Sequence, residues 1–74
     1  MSTLIWEATV DNGQYRCEVN RIDGYKGRLT VQDTVTEELI LDKEVGLSYG
    51  ARFGPDLMDV TMWQDMIIEA VDNP

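Results

Sequence analysis

Asn12-Gly13 stands between two runs in which apolar and polar residues alternate. A two-residue hairpin loop of type I′ needs positive φ at both central positions, and Asn followed by Gly adopts this most readily. Taking these two residues as the loop sets a register. Asp11 then faces Gln14, Val10 faces Tyr15, Ala8 faces Cys17 and Trp6 faces Val19. Trp6, Ala8, Val10, Tyr15, Cys17 and Val19 all fall on one face. The other face pairs Thr9 with Arg16, Glu7 with Glu18 and Ile5 with Asn20. A slip of one residue would mix the two sets, so the pattern predicts strands over 3–11 and 14–21. Glu7 opposite Glu18 is a small repulsion that the diagonal Arg16 can offset.

Asp23-Gly24 and Gly27 mark the next turn. A third strand is predicted from Arg28, with Leu29, Val31 and Val35 alternating with Thr30, Gln32 and Thr34. A break near Thr36-Glu37 leads to a fourth strand from Glu38 to about Val45. There Leu39, Leu41 and Val45 share a face with Lys43, and Ile40 points the other way. No Gly fixes the turn before this strand, so its register is open. Residues 46–54 read as a connection with little regular strand, because Gly46, Gly50 and Gly54 interrupt the alternation of Leu47, Tyr49, Ala51 and Phe53.

Gly54-Pro55-Asp56 opens a helix predicted over 56–71. Pro suits the first turn, Asp56 is the N-cap, and Asp59 places negative charge near the positive end of the helix dipole. At 100° per residue, Leu57, Val60, Trp63, Ile67, Ile68, Ala70 and Val71 form a broad core stripe. The predicted fold is α+β: a four-stranded antiparallel sheet with one C-terminal helix packed on one face, in the order ββββα. Its core would comprise Trp6, Val19, Leu29, Leu41, Phe53, Trp63 and Ile67. A chain of 74 residues makes one domain and buries only about 60% of its extended surface, which leaves room for one core and no deep substrate cavity.

The charge is one-sided. Glu7, Asp11, Glu18 and Asp23 balance Arg16, Arg21, Lys26 and Arg28 in the first part of the chain, so the net charge of −8 arises beyond residue 28. From Phe53 onward the chain holds Asp56, Asp59, Asp65, Glu69 and Asp72 and no Lys, Arg or His. Such a field repels nucleic acid and anionic membranes, whose binding needs Lys and Arg to replace counterions. The N-terminal residues carry no basic, apolar leader, and no window reaches the length of a membrane span. The expectation is a cytoplasmic protein.

The stretch from Glu44 to Asp56, containing Tyr49-Gly50-Ala51-Arg52-Phe53-Gly54-Pro55-Asp56, is followed by Asp59-Val60 and Trp63-Gln64. Over about residues 44–64 the chain resembles a set of small orphan proteins encoded by actinobacteriophages. The resemblance implies a phage origin and expression in a host bacterial cytoplasm. It implies no activity.

Catalytic chemistry finds little footing. The chain has no His, and its single Cys, Cys17, lies mid-strand on the core-facing side, where it reads as packing. Glu37-Glu38 at a strand edge lack the apolar pocket that would separate their pKa values. Asp33, Glu37, Glu38, Asp42 and Glu44 lack the order of a calcium loop, and the glycines at 46, 50 and 54 lack the Lys and Ser/Thr of a phosphate loop. No metal and no cofactor are expected. Arg52 reads as an ion-pair partner of Asp56 and Asp59.

The remaining signal is on the helix. Met58, Met62 and Met66 recur at i, i+4 and i+8, to one side of the core stripe and among the acids Asp65 and Glu69. Two readings stand: the sheet curls round the helix and buries the methionines, or they form an adaptable recognition surface. On the second, Met58, Met62, Asp65 and Glu69 bind a protein with a basic surface, and the chain is a non-enzymatic binding module acting on a host or phage protein. The alternative function is nucleic-acid mimicry, in which the carboxylates stand in for phosphates and inhibit a host DNA- or RNA-binding protein. Both are compatible with a homo-oligomer.

Overall fold

A computed structural model of the chain describes residues 3–48 and 54–72. It contains strands β1 (Thr3–Val10), β2 (Tyr15–Asp23), β3 (Lys26–Asp33) and β4 (Leu39–Gly46), followed by helix α1 (Leu57–Asp72). The strands form one antiparallel sheet in the order β1-β2-β3-β4, so each is joined to the next as a hairpin and β1 and β4 are the edges. The α+β arrangement is the predicted one.

The first hairpin has the register set by Asn12-Gly13. Trp6 faces Val19, Ala8 faces Cys17 and Val10 faces Tyr15. Asn12 and Gly13 have φ of 57° and 86°, and the Gln14 N–H donates to the Asp11 carbonyl at 3.1 Å. Asp11 also has a positive φ, at 53°. Arg16 reaches both acids of the repulsive pair, Glu7 at 3.1 Å and Glu18 at 3.0 Å. The register departs from expectation at one point: Leu4, and not Ile5, faces Asn20, because a bulge lies between Leu4 and Trp6. The bulge makes Ile5 the extra residue, and its side chain packs against the core.

The second turn is Gly24-Tyr25, and β3 begins at Lys26, two residues before the predicted start. Gly27 therefore lies within a strand and is buried. A Cβ there would stand 3.1 Å from Leu47 Cδ2, 3.2 Å from the Asn20 carbonyl and 3.2 Å from Val19 Cγ1. Replacing Gly27 by Ala is expected to cost about 1–3 kcal/mol by overpacking. Thermal melting should show this as a midpoint lower by roughly 5–15 °C.

β3 ends at Asp33, so Val35 belongs to the turn and is 77% exposed, contrary to its predicted place on the strand. The Asp33 carboxylate accepts the N–H groups of Val35 at 2.8 Å and Thr36 at 3.2 Å, and Glu37 takes a φ of 62°. Thr34 ties this turn to the first one, since its N–H donates to the Gln14 carbonyl at 2.8 Å. A second bulge then corrects the predicted face of β4. Val31 faces Leu41 but Gln32 faces Leu39, which makes Ile40 the extra residue. Ile40 packs against the core and Leu39 is exposed.

The core lies between the inner sheet face and one ridge of α1. Cys17, Val19, Leu29, Val31, Val45, Leu47, Trp63 and Ile67 are buried, with Trp6 and Leu41 partly buried beside them. The Trp6 and Trp63 rings meet with centroids 5.4 Å apart and planes inclined at 49°, a tilted aromatic pair. Phe53 lies outside the described residues.

Candidate functional site

Helix α1 is fixed first at its N-terminus. The Asp56 carboxylate accepts the Met58 N–H at 2.9 Å, and the Asp56 carbonyl accepts the first helical N–H, from Val60, at 3.1 Å. Asp56 is the N-cap as predicted, and Pro55 precedes the cap, outside the first turn. Asp59 lies in the first turn, as expected, and also ties the helix to the rest of the chain. It is buried, and its Oδ2 accepts the Ser48 N–H at 3.0 Å and the Ser48 hydroxyl at 2.7 Å. This bond joins the helix to the chain leaving β4. Arg52, the predicted partner of Asp56 and Asp59, lies outside the described residues.

Asp59, Trp63 and Ile67 are the buried residues of the helix and make one ridge at i, i+4 and i+8. That ridge decides which residues face outward. Met58 is 79% exposed and Met62 42% exposed, with Asp65 and Glu69 also exposed. These four residues, at spacings of four, three and four, share one flank of the helix. Met66 is partly buried and packs against the core. The methionine stripe is therefore divided, with its first two members in water and its third at the edge of the core.

Two residues assigned to the core stripe are corrected. Leu57 is 80% exposed and Ile68 57% exposed. Both lie about 120–140° round the helix from Trp63, beyond the width that the sheet covers. With Gln64 they form a second exposed flank, opposite the methionines. The sequence signal that could have located the ridge is Asp59 itself. A carboxylate one turn before the most buried Trp looks misplaced on a wheel, but it marks the inward direction once its Ser48 partner is known.

Cys17 is fully buried opposite Ala8, and burial pushes its thiol pKa up, away from the thiolate that nucleophilic chemistry requires. Among the described residues no group of three or more His, Cys, Asp or Glu is arranged to hold a metal ion. No helix of the described residues is long and apolar enough to cross a membrane. On the outer sheet face the cations are engaged by acids: Arg28 binds Asp42 through two contacts, one of them 3.2 Å, and Lys26 lies 3.7 Å from Glu44. The last turn of α1 has no basic residue, which leaves Glu69 and Asp72 at the negative end of the helix dipole. Comparison with known protein families finds no matching family model, and comparisons with curated proteins and with solved structures find no match.

Proposed function

We propose that this chain is a small acidic protein-binding module, not an enzyme, that presents the outer methionine flank of α1 to a partner with a basic surface. The observation that carries this reading is the exposure of Met58 and Met62 directly beside Asp65 and Glu69. Unbranched thioethers adapt to irregular apolar surfaces, and carboxylates around them select Lys or Arg at the rim. The resemblance to actinobacteriophage proteins favours a host or phage protein as the partner and the host bacterial cytoplasm as the place of action.

Affinity capture from an actinobacterial lysate, washed at low and then at high salt, tests the reading. The wild-type chain is expected to retain a partner at high salt, and the Met58→Glu/Met62→Glu variant is expected to lose it. A contact centred on apolar side chains survives screening, whereas a mimic of nucleic acid releases its targets steeply as salt rises. Equal retention by variant and wild type would overturn the assignment of this flank.

A further inference from the structure

The two edges of the sheet are built differently. β4 carries Asp42, Lys43 and Glu44 in succession, has a bulge at Ile40, and places Lys43 on the core-facing side opposite Leu29. An inward charge and a bulge are devices that stop an edge from recruiting another strand. β1, Thr-Leu-Ile-Trp-Glu-Ala-Thr-Val, has no Lys and no Pro, and its bulge is confined to the Leu4–Trp6 end. From Trp6 to Val10 the outer edge of β1 is regular.

The helix leaves that edge open. Among the strands, it packs most extensively on β4. Between β1 and α1 lies a cavity of about 290 Å³, walled by Trp6, Ala8 and Val10 on the strand and Gln64, Ile67 and Ile68 on the helix. It continues into a space of about 90 Å³ at the far end, where Asp11 and Asp72 join Val10 and Val71. Among the described residues neither Asp11 nor Asp72 forms an ion pair. Ile68, an exposed apolar residue of the second helix flank, lines both parts of this channel.

We propose that the channel between β1 and α1 accepts an extended segment of another protein as a fifth, antiparallel strand. Main-chain bonds to the edge of β1 would supply affinity, and alternate apolar side chains would enter the channel. Running antiparallel to β1, the segment places its N-terminal end beside Val10. A Lys, Arg or free amine at that end meets Asp11 and Asp72. The regular stretch from Trp6 to Val10 spans roughly 14 Å, the length of a short strand. The net charge of −8 opposes a second copy of this chain as the occupant. This site lies on the opposite helix flank from Met58 and Met62 and stands independently of the function proposed above.

The test is selection of a displayed library of random peptides on the immobilised full chain, followed by binding measurements with the enriched peptides made synthetically. Enriched sequences are expected to alternate apolar residues and to carry a cation near the N-terminal end. Their binding should shift the backbone amide resonances of β1. Asp11→Asn/Asp72→Asn, which keeps a residue type tolerant of positive φ at position 11, should weaken them about tenfold. Ile68→Glu, at an exposed position, should weaken them at least as much, while Met58→Glu/Met62→Glu leaves them unchanged. Absence of enrichment, peptides insensitive to both channel changes, or dimerisation of the chain through β1 would each overturn the proposal.

Discussion

Replacing Trp63 by Ala is expected to leave the fold with little or no stability at room temperature. Trp63 is fully buried, is the largest such side chain among the described residues, and sits at the centre of the buried ridge Asp59–Trp63–Ile67 of α1. Its removal takes away the ring that packs against Trp6 and opens a cavity within the buried core. A buried Trp→Ala change costs about 3–5 kcal/mol. A small domain has a total stability near the lower end of about 5–15 kcal/mol, so the loss approaches the whole of it. Trp63→Phe is a sharper probe. Trp63 Nε1 is buried with no hydrogen-bond partner among the described residues. Phe retains an aromatic surface and removes a donor whose desolvation is uncompensated, so it should cost well under half as much as Ala. Urea titration of the two variants checks both statements. If Phe proved as damaging as Ala, Nε1 would have to be bonded in the folded state.

Asp59→Ala is the second large effect. Asp59 accepts two hydrogen bonds from Ser48, and bonds to an ionised acceptor are stronger than neutral ones. Truncation leaves the Ser48 N–H and hydroxyl without their acceptor in a partly buried setting. The expected loss is roughly 2–3 kcal/mol, a melting midpoint lower by about 10–20 °C. Ser48→Ala removes the hydroxyl and keeps the backbone bond, so it should lose only part of this. In a double-mutant cycle the two changes should be less than additive, because they share one contact. Strict additivity would show that Asp59 acts elsewhere.

The first hairpin was legible because one dipeptide set its loop and thereby every pair from Val10–Tyr15 to Trp6–Val19. Legibility stopped at Ile5, where a bulge reversed one side chain. Nothing in Leu4-Ile5-Trp6 announces an extra residue, since all three are apolar and either face would take them. Ile40 repeats the lesson in β4: Leu39-Ile40-Leu41 is a run without alternation, and pairing with β3 chose the register. On the helix, the periodicity located Trp63 and Ile67 but gave a stripe too wide. A wheel reports which residues share a side, whereas the sheet's position decides how far round the helix burial extends. Leu57 and Ile68 fell outside that limit, and Asp59 fell inside it. The exposed flank of Met58, Met62, Asp65 and Glu69 was visible as a pattern, but its contact with water depended on the same placement. The channel beside β1 has no signature in the sequence, because it arises from the offset of α1 toward β4.

These points meet in one division of labour on a single helix. The ridge Asp59–Trp63–Ile67 holds the fold, and the flank bearing Met58 and Met62 is free of it. Thermal melting of the Met58→Glu/Met62→Glu variant tests this most directly. The account predicts a cooperative transition within about 8 °C of wild type, since exposed substitutions change stability by no more than about 0.5 kcal/mol each. A collapse comparable to that of Trp63→Ala would mean that the methionines belong to the core, and the binding flank would not exist.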